Sequence, residues 1–463
     1  MNSLNVRYQR HGLKLLLALA LSLPLLASAA DVLAAIDQFY GYELSIDGII
    51  QEIETGQIDM ASLSQGQGGY SHPVVRLVDA MLSDGVHKLA SDIHFEPEGQ
   101  FLRIRYRIDG VLRQVRVLHG RYWSAMLVRL KLVAGMNIAE SRAPQDGRVS
   151  LSIGGRNVDF RAAVQPTIHG ENFVLRVLDA KRGIVDYDKL GLTDRQYDIL
   201  NLMLARPEGI ILVTGPTGSG KTTTLYSVLS HMNDESVNIM TLEDPVEYPI
   251  TRIRQTSISD GSKIDFSDGV RSLMRQDPDI ILVGEVRDKD TAEMAFRAAM
   301  TGHQVFTTLH TNSALRSFQR IKDLGVSPEV MAGNIIGIVA QRLIRRLCTH
   351  CREPVEVVPG GIEARLMGDQ ALGRKVYRHH PGGCEACAFQ GYKGRLAIME
   401  LLRMDSSLDE LVTRNATQGE LAAHALANGF QPIAEDGLRR VLEGITSIEE
   451  VGRVVDLTVR LAG

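Results

Sequence analysis

Apolar and polar residues alternate along several segments in the first half of the chain, the period of a strand with one buried face. In residues 102–108 the positions between the apolar residues hold Arg103, Arg105 and Arg107. Two pairs of such runs are each split by a turn dipeptide: 102–108 and 111–117 at Asp109-Gly110, and 148–153 and 157–162 at Gly154-Gly155. Because these dipeptides suit two-residue hairpins, the pattern predicts a small mixed α/β domain over residues 71–182.

The second half of the chain has a different pattern, in which short, mainly apolar runs alternate with helical stretches. The runs are 210–213, 238–242, 280–283 and 305–309. Strands that are apolar on both faces are typical of a parallel sheet that is covered on both sides. We therefore predict an α/β domain over residues 183–463, with an insertion at about 345–395, where glycine and proline break the pattern, and helices after residue 406.

The first seventy residues differ from both halves. Basic residues precede an uncharged run from Leu15 to Ala30 that ends in small residues, a pattern typical of a secretory signal. The run is short for a membrane span, which needs about 20 apolar residues. Residues 1–30 are thus a true signal, a segment that docks on membrane machinery, or the product of a misplaced start. Residues 31–70 read as a helical region with a glycine-rich linker at 64–69.

Composition narrows the class of protein. The chain has 463 residues, of which 44% are hydrophobic and 23% charged, and its formal net charge is −4. These values are typical of a folded globular protein. A protein that holds nucleic acid by neutralising phosphates carries a basic excess, which is absent here, so the strand arginines are interpreted as a solvated face or as partners of acidic neighbours.

A phosphate-binding loop follows the first apolar run of the second domain. Residues 215–222 fit the pattern GxxxxGK[ST] between a strand and a helix, the context that this motif requires. Backbone N–H groups of such a loop surround phosphate oxygens, Lys221 reaches the β- and γ-phosphates, and the Thr222 hydroxyl can ligate Mg²⁺. The predicted nucleotide-binding residues are Gly215, Pro216, Thr217, Gly218, Ser219, Gly220, Lys221, Thr222 and Thr223.

Two acidic residues follow neighbouring apolar runs, where ligands of open α/β sheets bind. Glu243 ends the run at 238–242, and Glu285 follows the run at 280–283. Hydrolysis needs a carboxylate to orient water, and the sequence leaves open which of the two is the main catalytic acid. Gly284 stands where many proteins with this loop place a metal-binding aspartate, so Mg²⁺ is expected to depend on Thr222 and Glu243.

All four cysteines lie in two CxxC pairs, Cys348 with Cys351 and Cys384 with Cys387. Each pair can present two thiolates to one Zn²⁺, which predicts a closed structural Cys₄ site. The alternative is two pairs of ordinary reduced cysteines.

From about residue 71 to its end, the sequence resembles the bacterial type II secretion ATPases and type IV pilus extension ATPases. Five motifs occur in the family's order: ASDIHFEP at 90–97, the phosphate loop at 215–222, LEDPVE at 242–247, RQDPD and GEVRD at 275–288, and TGH with TLHTN at 301–312. The Gly284-Glu285 pair is itself part of the family's pattern. The tetracysteine insertion belongs to extension and secretion ATPases and is lacking in retraction ATPases.

This resemblance implies a fold and a set of site residues. The fold is a RecA-like P-loop ATPase core with a smaller N-terminal PAS-like α/β domain, a zinc-binding insertion and C-terminal helices. Arginines that approach the phosphates would be Arg161 and Arg176 of the first domain and Arg271 and Arg275 of the second. His303 and His310 would report the state of the γ-phosphate.

The predicted function is that of a hexameric motor that hydrolyses MgATP at the cytoplasmic face of the inner membrane. By resemblance, it would power type IV pilus assembly or type II secretion through a platform protein, bind an assembly or anchor protein, and associate peripherally with the membrane. Because ATP and free thiols are cytoplasmic, residues 1–30 are predicted not to be cleaved for export. The alternatives are a pilus retraction ATPase and, from another class, a nucleic-acid translocase.

Overall fold

The computed structural model describes residues 42–55, 72–179, 183–258 and 264–461. These form two compact units, one that ends at Val177 and one that begins at Leu178. The predicted segment 1–30 and the linker at 64–69 lie outside the described residues. Among the helices that the structure describes, none has the length and apolar character needed to cross a membrane.

In its described residues, the N-terminal unit has one six-stranded sheet and three α-helices. Its strands follow the spatial order β3-β2-β1-β6-β5-β4. In chain order the elements are α1 (Tyr42–Thr55), α2 (Pro73–His87), β1 (Ala90–Glu98), β2 (Phe101–Ile108), β3 (Val111–His119), α3 (Trp123–Val133), β4 (Gln145–Ile153), β5 (Arg156–Thr167) and β6 (Gly170–Leu178).

Both predicted hairpins are confirmed. Strands β2 and β3 pair antiparallel across Asp109-Gly110, as β4 and β5 do across Gly154-Gly155. All four turn residues have positive φ, between 50° and 82°, the backbone region that this kind of tight turn requires. The local sequence therefore determines how both pairs begin at their turns, although the β2–β3 register shifts between Ile104 and Arg105.

The two faces of this sheet have different environments. The buried face includes Tyr106, whose hydroxyl donates to the carbonyl of Met81 in α2 at 2.9 Å. The other face carries the strand arginines in ion pairs: Arg107 with Asp92 at 3.4 Å, Arg105 with Glu96 at 2.6 Å and Arg103 with Glu98 at 2.7 Å. The arginines are thus paired with acidic neighbours, which was one of the two predicted interpretations.

The C-terminal unit is built on a seven-stranded sheet in the order β15-β12-β7-β11-β10-β8-β9. Its first part comprises α4 (Asp194–Leu204), β7 (Gly209–Thr214), α5 (Lys221–Met232), β8 (Ile239–Glu243), β9 (Arg254–Ser257), α6 (Phe266–Leu273), β10 (Ile280–Val283), α7 (Lys289–Met300), β11 (Gln304–Leu309), α8 (Ala314–Asp323), α9 (Pro328–Met331) and β12 (Ile335–Leu347).

Among the described residues, a small two-stranded sheet, the edge strand β15 and six α-helices complete this unit. The small sheet lies in the segment between β12 and the edge strand β15. The elements are β13 (Glu353–Glu356), α10 (Ile362–Met367), β14 (Lys375–Arg378), β15 (Tyr392–Arg403), α11 (Ser406–Thr413), α12 (Gln418–Ala427), α13 (Ile433–Leu442), α14 (Ile448–Val454) and α15 (Thr458–Leu461).

Six strands of the large sheet run parallel, and only β15 is antiparallel to its neighbour. Every residue of β7, β10 and β11 is buried, which confirms the predicted sheet with two covered faces. We call the side of the sheet where β7, β11, β10 and β8 end the carboxyl edge, and the side where they begin the amino edge. The sequence did not predict β12, which pairs with β7 and β15.

Candidate active site

The phosphate loop joins the end of β7 to the start of α5 at the carboxyl edge. Three of its glycines have positive φ: Gly215 at 149°, Gly218 at 78° and Gly220 at 92°. At Gly215 a Cβ atom would lie 2.6 Å from the carbonyl oxygen of Gln341, which leaves no room for a side chain. Pro216 and Thr217 are exposed, and Thr222 and Thr223 lie in the first turn of α5.

Lys221 folds back over this loop. Its Nζ donates to the carbonyls of Gly215 at 2.9 Å and Pro216 at 3.3 Å. Burial lowers the pKa of Lys221, and the nearby carboxylate of Glu285 opposes this shift. The lysine ammonium, the loop and the Glu285 carboxylate are therefore gathered at the carboxyl edge.

Glu285 lies between Arg287 and His310, directly after β10. One carboxylate oxygen pairs with Arg287, and the other lies 3.6 Å from Nε2 of His310. Arg287 also approaches Asp244 at 3.7 Å. The hydroxyl of Thr308 in β11 donates to the carbonyl of Gly284 at 2.8 Å, which ties the segment to its neighbouring strand.

Glu243 occupies a more enclosed position at the end of β8. It is 5% exposed and accepts hydrogen bonds from the hydroxyls of Tyr226 and Thr241. Burial and the Glu243 carboxylate raise the pKa of Tyr226, so the phenol stays protonated and donates. Since Tyr226 lies one turn after Thr222 on the same face of α5, Glu243 lies on the side of the loop that carries the predicted Mg²⁺ ligand.

The two predicted histidines lie at opposite edges of the sheet. His310 follows the end of β11 beside Glu285, and burial, followed by the charge of Lys221, lowers its pKa. His303 precedes β11, and its Nδ1 lies 2.9 Å from the carbonyl of Ala298. The whole length of β11 lies between His303 and the phosphate loop of its own chain, and its role as a reporter of the γ-phosphate stays a prediction.

Arg271 and Arg275 are likewise not brought to the phosphate loop of their own chain. Arg271 pairs with Asp268 of the same helix, α6. Arg275 donates to the carbonyl of Arg271 at 3.1 Å, and the segment that follows it is bonded to Asn238 at the amino edge. The chain returns through α6 from the carboxyl edge to the start of β10, and the predicted approach of these two arginines to the phosphates stays a prediction.

The other two predicted arginines belong to the sheet of the N-terminal unit. Arg176 in β6 is 54% exposed, and its Nε lies 3.2 Å from the carboxylate of Asp92. Arg161 in β5 stands opposite Arg148 in the register with β4. Their role at the phosphates stays a prediction.

Two residues of β12 lie at the site, and no sequence motif had predicted them. Gln341 is fully buried, and its Nε2 donates to the carbonyl of Ser219 in the phosphate loop at 2.8 Å. Arg342, on the opposite face of the strand, donates to the backbone and side-chain oxygens of Asn312, both at 3.1 Å. The available signal was a pair of polar residues inside the apolar run 335–344.

The four cysteines converge between the end of β12 and the start of β15. Their sulfurs all lie within 4.8 Å of one another. The shortest separations are 3.7 Å for Cys348 and Cys384, and 3.9 Å for Cys351 and Cys387. Four thiolates around one tetrahedral Zn²⁺ lie roughly 3.8 Å apart, so the spacing of these sulfurs fits this ion.

Backbone donors support the thiolate form of one cysteine. The N–H groups of Cys384 and Gly391 point at the sulfur of Cys387, at 3.2 and 3.1 Å. Burial alone would raise the pKa of Cys387, but these N–H groups outweigh it and lower the pKa to about 6. Because metal ligation requires the deprotonated thiol, this donor set also fits a zinc site.

Residues 69–453 match the model of a protein family described as "Type II/IV secretion system protein". The type II secretion system protein E of Pectobacterium carotovorum is 44% identical over 383 residues, which cover 82% of this chain and 76% of that protein. The type II secretion system ATPase E of Vibrio cholerae is 44% identical over 382 residues (82% and 75%). The type IV pilus assembly ATPase TfpB of Acinetobacter baylyi is 42% identical over 386 residues (83% and 66%).

Solved structures share this fold. The pilus retraction motor PilT with bound ADP matches with a TM-score of 0.55 and 27% identity, over 81% of this chain and 96% of PilT. The Legionella pneumophila ATPase DotB matches with a TM-score of 0.60 and 20% identity, over 86% and 98%, and at this identity it speaks for the fold alone. Motifs, fold and relatives agree, and the chain belongs to the type II/IV secretion ATPase family.

Proposed function

We propose that this chain is the hexameric motor of a type II secretion machine and drives it by hydrolysing MgATP. The observation that carries the proposal is the phosphate loop of positive-φ glycines at the carboxyl edge, with the Lys221 ammonium and the Glu285 carboxylate beside it. Anion-binding N–H groups, a mobile cation and a carboxylate are the parts that phosphoryl transfer needs.

Each of these residues has a distinct task in hydrolysis. The loop N–H groups and the start of α5 hold the phosphates, and Lys221 exchanges its bonds to the Gly215 and Pro216 carbonyls for phosphate oxygens. Thr222, which is exposed, would hold Mg²⁺, which supplies charge neutralisation when bound. Glu285 and Glu243 orient water on the two sides of the loop.

The first test uses the purified chain and measures phosphate release from MgATP. We expect Lys221→Ala to lose turnover, whereas Lys189→Ala, a control lysine paired only with Asp186 on the surface, keeps it. Glu285→Gln and Glu243→Gln should still bind nucleotide, and the larger loss of turnover identifies the main catalytic acid. Equal turnover in the wild type and Lys221→Ala would contradict the proposed site.

Arg161 and Arg176 are proposed to supply the cation that stabilises charge on the γ-phosphate. The exposed guanidinium of Arg176 supports this role, since its single ion pair with Asp92 leaves donors for another anion. Arg103, on the same face and paired with Glu98, is the matched control. Arg176→Ala should lower turnover more than Arg103→Ala, and equal effects would contradict the role.

The partners proposed for this motor follow from the family. They are a second to sixth copy of the chain, an inner-membrane platform protein and an anchor protein, at the cytoplasmic face of the membrane. Relatives named for type II secretion and for pilus assembly both match, and a type IV pilus assembly motor is the second candidate. The four gathered cysteines, a feature of secretion and extension ATPases, speak against a retraction motor.

The machine can be identified in cells of the source bacterium. Deletion of the gene should abolish export of folded substrates and leave surface pili unchanged. Complementation by the wild type should restore export, whereas complementation by Lys221→Ala should not. Loss of pili with normal export would favour the second candidate. Light scattering with MgATP should give the mass of a hexamer, and added DNA should not stimulate turnover, as expected for a chain with a net charge of −4.

A further inference from the structure

Strand β12 continues past the end of β7 and lies alongside the phosphate loop. Ala340 is the register partner of Thr214, the last residue of β7, so Gln341 stands beside the residues that follow it. Gln341 is 0% exposed, although its side chain is polar. Its Nε2 donates to the carbonyl of Ser219 at 2.8 Å, and among the described residues its Oε1 has no hydrogen-bond partner.

This one bond has a consequence for the neighbouring N–H group. The peptide between Ser219 and Gly220 is trans, so its carbonyl and its N–H point in opposite directions. Gln341 holds the carbonyl on the side of β12, and the N–H of Gly220 therefore faces away from the strand. That side is where the phosphates bind in a loop of this kind.

The peptide needs such a restraint because a flip of the 219–220 peptide changes the φ of Gly220, which is 92°, and glycine tolerates either sign of φ. A flipped peptide would turn a carbonyl oxygen toward the phosphates. The orientation of the Gln341 amide is itself fixed, because its oxygen in the place of Nε2 would face the Ser219 carbonyl oxygen. The backbone oxygen of Gln341 also lies against Gly215, so β12 supports both ends of the loop.

We propose that Gln341 is a positioning residue of the nucleotide site, which aims the N–H of Gly220 at the nucleotide's terminal phosphates. This inference rests on the proposed function, since it concerns the same loop. It predicts that loss of the Gln341 donor weakens contacts to the phosphates and leaves contacts to the nucleoside unchanged.

The sheet offers a matched control at its other edge. Gln304 in β11 is also buried, at 3% exposed, and its Nε2 also donates to backbone carbonyls, those of Leu204 at 3.0 Å and Arg206 at 2.7 Å. It lies at the start of β11, whereas the phosphate loop lies at the opposite edge. Gln304→Met and Gln341→Met thus remove the same kind of bond at two places.

The experiment measures binding of a fluorescent ADP to the full chain, with unlabelled pyrophosphate and adenosine as competitors. Loss of a buried hydrogen bond that leaves its partner unsatisfied corresponds to about a tenfold change in a dissociation constant. We expect Gln341→Met to weaken the binding of ADP and of pyrophosphate about tenfold, and the binding of adenosine less than about twofold. Gln304→Met should lower the unfolding temperature without weakening ADP.

The inference is overturned if Gln341→Met binds ADP as the wild type does, or if both glutamine variants weaken ADP, pyrophosphate and adenosine alike. If the wild type itself binds no nucleotide, the proposed function fails instead. Should Gln341→Met not fold, Gln341→Asn is compared with Gln304→Asn by the same criteria, because asparagine keeps the amide but withdraws the donor by one methylene.

Discussion

The two edges of the seven-stranded sheet carry similar residues in different surroundings. At the amino edge, His303 and Gln304 are directed at backbone carbonyls of neighbouring elements. At the carboxyl edge, His310 is half exposed beside Glu285, and Gln341 donates to the carbonyl of Ser219 in the phosphate loop. We therefore expect the same kinds of side chain to stabilise the fold at one edge and to act in the site at the other.

The reason lies in the geometry of parallel sheets. Strands that point the same way bring their carboxyl ends, and the loops that follow them, to a single edge. Polar residues there surround the phosphate loop, whereas His303 and Gln304 at the amino edge contact carbonyls at or just after the ends of helices. Position at an edge, rather than residue type, separates the two arrangements.

The largest expected effect concerns Glu285. Its carboxylate lies beside Lys221, Arg287 and His310, and we expect Glu285→Gln to lower the turnover of MgATP about 10³-fold with little change in ADP affinity. Steady-state phosphate release together with ADP binding measures both quantities. Asp279→Asn, a change of a carboxylate bonded to the Asn238 N–H at the amino edge, is the control. Comparable losses of turnover in the two variants would contradict the different roles of the two edges.

The cysteine cluster tests whether a position beyond the carboxyl edge is enough to give residues a role in nucleotide binding. β12 runs parallel to β7, so the cysteines after it lie beyond the carboxyl edge, but as a closed set of four ligands. We expect Cys387→Ser to lose bound zinc and to destabilise the chain by roughly 3 kcal/mol, with nucleotide affinity unchanged. Metal analysis and thermal unfolding measure these effects. Zinc well below one equivalent in the wild type would contradict the zinc site.

The two histidines give a smaller but more direct contrast. His310→Asn should lower turnover about tenfold, because it removes the group that lies 3.6 Å from Glu285. His303→Asn should lower the unfolding temperature and change turnover less than about twofold. Both variants are measured in the same phosphate-release assay, and a larger loss of turnover for His303→Asn would reverse the assignment.

The smallest effect is a dependence of stability on pH. Burial lowers the pKa of His310 in the folded chain, so the unfolded chain binds the proton more readily. Stability is therefore lost as the pH falls below about 6.5, the ordinary pKa of histidine. We expect the unfolding temperature to fall less steeply between pH 6.5 and 5 in His310→Asn than in the wild type, and identical slopes would refute this.

Much of the fold was predicted because its signals are local. Asp109-Gly110 and Gly154-Gly155 fix two hairpins through backbone angles that their own residues favour. The four mainly apolar runs of the second unit correspond to β7, β8, β10 and β11, since a strand that is apolar on both sides needs cover on both faces. Strand β12 escaped prediction because Gln341 and Arg342 interrupt its apolar pattern, and their partners lie far away in the sequence.

The phosphate loop could be located from the chain alone, because its glycines at 215, 218 and 220 and Lys221 stand at a fixed spacing between a strand and a helix, and three of these positions need glycine's positive φ. The two short cysteine pairs were visible in the same way. Tertiary packing was needed to place His310 beside Glu285, His303 at the opposite end of β11 and Gln341 against the loop. The order of strands in the sheet sets these distances, and that order depends on how the whole core packs rather than on any local pattern of residues.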